Sequence, residues 1–131
     1  MHIILCSDST EMRGRVGGLV GPEDRLTVCE SGMELLAAVQ AVASDLVILD
    51  LETHGLGGML LISAIQELSP GSPIVAVSQD GAADARQMLQ KGIPFFRLAA
   101  GDAEAPQSLR AHMLGRQTRS HFAGASSVSA A

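Results

Sequence analysis

A three-layer α/β sandwich of the (βα)5 type, a parallel sheet between two layers of helices, is the fold this sequence predicts. Two observations predict it. Five short apolar runs recur along the chain: Ile3 to Cys6, Leu26 to Cys29, Leu46 to Leu49, Ile74 to Val77 and Ile93 to Leu98. The segments between them place apolar residues at helical spacing, and strands alternating with helices build parallel sheets joined by right-handed crossovers. A length of 131 residues, 47% of them apolar, suits one domain with one core.

The first, third and fourth runs are nearly unbroken Val, Ile and Leu, the pattern of strands covered on both faces. After the first run, Met12, Val16, Leu19 and Val20 share a helical face, although Gly14, Gly17 and Gly18 each weaken a helix by roughly 1 kcal/mol relative to Ala. The second helical segment opens on Ser31 and Glu34, an S-x-x-E capping box, before Leu35, Leu36, Val39 and Val42. The third carries Leu61, Ile62, Ile65 and Leu68 and stops at Ser69-Pro70-Gly71. The fourth carries Ala85, Met88 and Leu89, with Lys91 near its end and Gly92 as the residue just past it. A fifth follows Pro106, with Leu109, Met113 and Leu114 expected to be buried. Residues 1–114 therefore form the expected domain, and 115–131, polar and then rich in Ala and Ser, read as a flexible tail or the stub of a linker.

The second and fifth runs are the least purely apolar, and Pro94 in the fifth lacks an N–H, so both are expected at sheet edges. The flavodoxin-like order 2-1-3-4-5 puts them there. In such sheets ligands bind beyond the carboxyl ends of the strands, next to the first strand.

Composition narrows the function. No apolar run reaches the roughly 18 residues of a membrane span, and the start lacks the basic region of a signal peptide. A net charge of −5 argues against a nucleic-acid-binding face, and three Phe with no Tyr or Trp leave little to stack on a base or a flavin. Cys6 and Cys29 read as buried free thiols of a reduced, cytoplasmic protein. His2, His54, His112 and His121 lack ligand spacing and are expected to face solvent.

The strand ends carry the chemistry. The first run ends in Ser7-Asp8, the third in Asp50 and the fourth in Ser78. Two carboxylates in one crevice suit Mg2+, which takes hard oxygen ligands and keeps open positions for water and phosphate. Asp50, following four apolar residues, is desolvated unless something pairs with it, and it is the candidate nucleophile toward a phosphoryl group. Ser78 is placed to bind a phosphoryl oxygen. The blander roles are an N-cap for Asp8 and a loop hydroxyl for Ser78.

These residues resemble the receiver, or response-regulator, domain of two-component signalling over roughly residues 1–114. Ile3-Ile4-Leu5-Cys6-Ser7-Asp8 resembles the family's first strand with its acidic pair, and Asp45-Leu46-Val47-Ile48-Leu49-Asp50-Leu51 the stretch ending in the phosphoacceptor. Gly55-Leu56-Gly57-Gly58 falls where the family has G-M-D-G. Pro73-Ile74-Val75-Ala76-Val77-Ser78 resembles the fourth strand with its terminal hydroxyl, and Lys91-Gly92 precedes the fifth. The resemblance implies Asp50 as phosphoacceptor, Ser78 as switch hydroxyl and Phe96 as switch aromatic. It implies Asp8, Asp50 and the backbone carbonyl of Glu52 as Mg2+ ligands.

Two departures from the family pattern matter. Ser7 replaces the first acid of the pair, and Ala99-Ala100 stands where a lysine and a proline are usual. Arg97 lies on the same side of its strand as Ala99, two residues back, and Glu52 faces the pocket as a further carboxylate or a repellent for phosphate. The function implied is signal relay, not enzymatic turnover. A histidine kinase or phosphotransfer protein loads Asp50, and a downstream protein or output domain reads the change, with a homodimer through the fourth helix, fifth strand and fifth helix as a further partner mode. The alternative is a pseudo-receiver, an interaction module that works without phosphate.

Overall fold

The structure, a computed structural model, describes residues 1–53, 58–79, 82–99, 101 and 103–115. Its elements are β1 (His2–Cys6), α1 (Thr10–Gly17), β2 (Arg25–Cys29), α2 (Gly32–Ala41), β3 (Leu46–Asp50), α3 (Gly58–Leu68), β4 (Ile74–Ser78), α4 (Ala82–Gln90) and β5 (Phe95–Arg97). A last helix, α5, spans residues 104–115. The strands pair in parallel in the order β2-β1-β3-β4-β5, as expected from the sequence.

Alternation along each strand divides the core in two. Ile4, Cys6, Val47, Leu49, Ile74 and Ala76 face one layer, where Leu35 and Val39 of α2, Leu61, Ile62 and Ile65 of α3, and Met88 of α4 cover them. Ile3, Leu5, Leu46, Ile48, Val75 and Val77 face the other, closed by Met12 and Val16 of α1 and Leu109 and Met113 of α5. Every residue of β3 and β4 is buried, which explains why their sequences do not alternate.

Local chemistry sets the ends of the helices. Ser9, not Asp8, caps α1: its Oγ accepts from the Met12 N–H at 3.2 Å. Ser31 caps α2, accepting from the Glu34 N–H at 3.2 Å, and the Glu34 carboxylate reaches back to the N–H of Glu30 at 2.9 Å. At the end of α4, Gly92 has φ +72°, its N–H donates to Leu89 O, and the Ile93 N–H donates to Met88 O. That pair of bonds is a Schellman turn, closed by contact within one cluster between buried Ile93 and Met88.

Some expectations need correction. The first helix ends at Gly17, and Leu19 and Val20 pack on the core from the following turn. Val42, Leu68, Leu89 and Leu114 are exposed at 46%, 51%, 74% and 50%. Val42 is the extended cap of α2, Leu68 is the last residue of α3, and Leu89 and Leu114 each sit about 100° around the helix from a buried methionine. The fifth strand is shorter than its apolar run, and Pro94 precedes it, offering its carbonyl to the Ala76 N–H at 2.9 Å. His2 is half-buried, and its ring nitrogens lie 3.0 Å from Ala43 O and 2.8 Å from Thr27 Oγ1, tying β1 to β2 and to the turn before β3. His112 packs against Phe96. Gly55 to Gly57, Ala100, His54, His121 and the expected tail after Gly115 lie outside the described residues.

Candidate functional site

The hydrogen-bond ladder continues one residue past the strands at this rim. The Ser7 N–H donates to Cys29 O at 2.9 Å, the Leu51 N–H to Val77 O at 3.0 Å, and the Leu98 N–H to Ser78 O at 2.8 Å. Register sets Cys6 beside Leu49, so the next residues, Ser7 and Asp50, come together.

They touch. Ser7 Oγ donates to Asp50 Oδ2 at 2.6 Å, and the Glu52 N–H donates to Asp50 Oδ1 at 3.0 Å. Ser7 Oγ also accepts from the Ser9 N–H at 3.1 Å, which links the carboxylate to the start of α1. Asp50 is only 1% exposed, and among the described residues no Lys or Arg forms an ion pair with it. Burial pushes its carboxyl above the usual carboxylate range. The bonds from Ser7 and Glu52 pull it down, whereas the nearby charges of Glu52 and Asp8 push it up again.

Asp8 is exposed one residue past Ser7, beside the start of α1, and close enough to act on both Asp50 and Cys6. The oxygens that this rim offers a cation are those of the Asp8 and Asp50 carboxylates, to which the family resemblance adds the Glu52 carbonyl. Mutually repelling carboxylates around a buried one are relieved by a divalent cation, so these residues fit Mg2+. Among the described residues no three His, Cys, Asp or Glu side chains group as a metal cluster.

Ser78, the expected switch hydroxyl, is buried and donates to Glu52 Oε1 at 2.9 Å. The Gln79 N–H donates to the same oxygen at 3.2 Å. Arg97 stands beside Ser78 in register, and its Nε donates to Gln79 O at 3.3 Å. Ala99, where the family lysine is expected, is half-buried after Leu98, whose carbonyl accepts from the guanidinium of Arg15.

Phe96 is half-buried against the α1/α5 layer, its ring centroid 5.8 Å from that of His112 at a tilt of 58°. Phe95 packs on the opposite layer, so both rings lean on the core and neither projects as a free aromatic. Cys6 and Cys29 are free and buried, neighbours in register. Burial, then Cys29 and the site carboxylates, push the Cys6 thiol up to about 12, which makes it a poor nucleophile.

Sequence reasoning missed two contacts, the Ser7 hydroxyl on Asp50 and the Glu52 carboxylate on Ser78. The signal for the first was a serine in the position of an expected acid, directly across from Asp50 once register is known.

Comparison with known proteins places these observations. The profile of the response regulator receiver domain family matches residues 3–96. The transcriptional regulatory protein GlrR of Escherichia coli is 31% identical over 106 residues, 79% of this chain and 24% of that protein. The chain thus spans about a quarter of the length of that relative. The response regulator domain of Thermotoga maritima CheB superposes with a TM-score of 0.71 at 19% identity, covering 91% of this chain and 94% of that one. The chemotaxis response regulator CheY4 of Vibrio cholerae gives 0.69 at 18% identity, covering 88% and 97%. At these identities the two structures speak for the fold.

Proposed function

This chain belongs to the response regulator receiver domain family of two-component signalling, and on that premise we propose that residues 1–114 accept a phosphoryl group on Asp50 and thereby change partner binding. Aspartate phosphorylation with Mg2+ is general for the family. The observation that carries the reading is Asp50 itself. It is a carboxylate at the end of the central strand, 1% exposed, ion-paired to no Lys or Arg among the described residues, and facing Asp8 and Glu52. A fold leaves so costly a group in place where a cation and a reaction use it.

In the step proposed, an Asp50 oxygen forms a bond to phosphorus as the phosphorus–nitrogen bond of a phosphohistidine breaks and the imidazole leaves. Asp8, Asp50 and the Glu52 carbonyl would hold Mg2+, which would neutralise charge on the transferring phosphoryl oxygens. Ser7 and the Glu52 N–H orient the carboxylate. Ser78 offers a hydroxyl to a phosphoryl oxygen, and Phe96 is the aromatic whose packing on His112 would respond. The partners are a histidine kinase or phosphotransfer protein and a downstream protein or output domain, with a homodimer through α4, β5 and α5 as a further mode. No helix among the described residues is long and apolar enough to cross a membrane, and a cytoplasmic location fits two buried free thiols.

A specific set of contacts favours a second reading, a pseudo-receiver that works without phosphate. Ala99 supplies no cation, and Ser78 is already bonded to a carboxylate. Acetyl phosphate with millimolar Mg2+ separates the two. Intact mass is expected to rise by one phosphoryl group, labile to hydroxylamine and absent from Asp50→Asn. No such species at any donor concentration leaves the pseudo-receiver.

A further inference from the structure

We infer that Glu52 is a positioning residue that takes, in the resting chain, the Ser78 hydroxyl proposed for a phosphoryl oxygen on Asp50 and the neighbouring Gln79 N–H, so that phosphorylation must displace it. The inference rests on Asp50 being the phosphoacceptor. The geometry is specific. A single carboxylate oxygen, Glu52 Oε1, accepts from Ser78 Oγ at 2.9 Å and from the Gln79 N–H at 3.2 Å. The backbone N–H of the same residue holds Asp50 Oδ1 at 3.0 Å, so residue 52 bridges the ends of β3 and β4.

A hydroxyl has one proton to give. While Ser78 gives it to Glu52 it is not given to a phosphoryl oxygen. The Gln79 peptide is held from both sides, its N–H by Glu52 and its carbonyl by Arg97. Charge-assisted bonds of this kind are the stronger class, and Glu52 also presents a negative charge toward an incoming anion. The end of β4 therefore rests in an arrangement already bonded to an anionic oxygen, and a phosphoryl group would exchange one such acceptor for another.

Beryllofluoride with Mg2+, an analogue of the phosphoryl group, is the probe, and amide NMR on the whole chain is the readout for wild type, Glu52→Ala and Glu52→Gln. Glu52→Ala is expected to shift the Ser78 and Gln79 amide signals and to tighten beryllofluoride binding roughly tenfold, the scale of one charge-assisted hydrogen bond. Glu52→Gln keeps an acceptor oxygen without the charge. It is expected to keep the Gln79 signal near its wild-type position and to tighten binding by a smaller factor. Unmoved Ser78 and Gln79 signals in Glu52→Ala overturn the inference, as does unchanged or weaker beryllofluoride binding in a variant whose signals have moved. If neither wild type nor either variant binds beryllofluoride or takes phosphate from acetyl phosphate, the phosphoacceptor reading and the competition at Ser78 both fall. The Gln79 signal then still decides whether Glu52 holds the loop.

Discussion

Asp50→Asn is expected to melt at a higher temperature than the wild-type chain at neutral pH. The carboxylate is buried at the end of β3, and desolvation, reinforced by Glu52 and Asp8, disfavours its charge. An asparagine keeps the local bonds. Its oxygen accepts from the Glu52 N–H and its amide donates to Ser7 Oγ, which reverses the direction of the bond now running from Ser7 to Asp50. Removing the charge is worth on the order of 1 kcal/mol, the usual size of a single-residue effect. In a domain of this size that is a rise of roughly 3–6 °C.

The pH dependence follows from the direction of the shift. With its folded pKa raised, Asp50 holds a proton more tightly in the folded chain than in the unfolded one. Its contribution is then fully present below the ordinary carboxylate range and is lost as pH rises through the raised value. Wild type and Asp50→Asn are therefore expected to converge in stability on acidification and to separate on return to neutrality. Melts followed by circular dichroism check this, since the chain has no Trp or Tyr to report by fluorescence. A neutral variant less stable than wild type at pH 7 would mean that the carboxylate is compensated by something other than Ser7 and Glu52.

Ser7→Asp is expected to have the larger effect. Ser7 is fully buried and its hydroxyl lies 2.6 Å from Asp50 Oδ2. Replacing that donor by a second carboxylate sets two anions at hydrogen-bonding distance in a dry site. An uncompensated buried charge costs about 3–5 kcal/mol, enough to lower Tm by more than 10 °C. Mg2+ should return much of that stability, because the new acid is also a new ligand. At a concentration about 100 times its Kd, a ligand that binds only the folded state restores about 2.7 kcal/mol. Calorimetry with and without Mg2+ is the measurement. The expected result is a deep loss without Mg2+ and a gain with it several times that of the wild type. Equal melting of the two chains in both conditions would show that residue 7 does not face the cation site.

How much of this was legible in the sequence depends on the range of the interaction. The strand order followed from local signals: continuous apolar runs at β1, β3 and β4, polar interruptions in β2, and Pro94 ahead of β5. The Ser31 cap and the Gly92 turn were readable because each is fixed by residues within about five positions. The exposed Leu89 and Leu114 were misread because one helix face shades into the next within a single residue.

Asp8, Asp50 and Ser78 were singled out by their position after apolar runs. Their contacts were not, since these depend on register between strands far apart in sequence. The Ser7 bond to Asp50 spans 43 residues, and the Ser78 bond to Glu52 spans 26. Nothing in either local sequence sets those offsets. Ser7 looked like a missing ligand and proves to be a hydrogen-bond donor to the Asp50 carboxylate. Glu52 was legible as a carboxylate facing the pocket, but not as the acceptor for Ser78.

The whole reading depends on Asp8 and Asp50 serving one hard cation from two strand ends. Mn2+ takes the same oxygen ligands as Mg2+ and broadens the NMR signals of nearby nuclei, so a titration with trace Mn2+ tests this most directly. The account predicts that the amides of Asp8, Asp50 and Glu52 broaden first and together, and that excess Mg2+ restores them. Broadening centred elsewhere on the acidic surface, or reaching only one of the two strand ends, would contradict it.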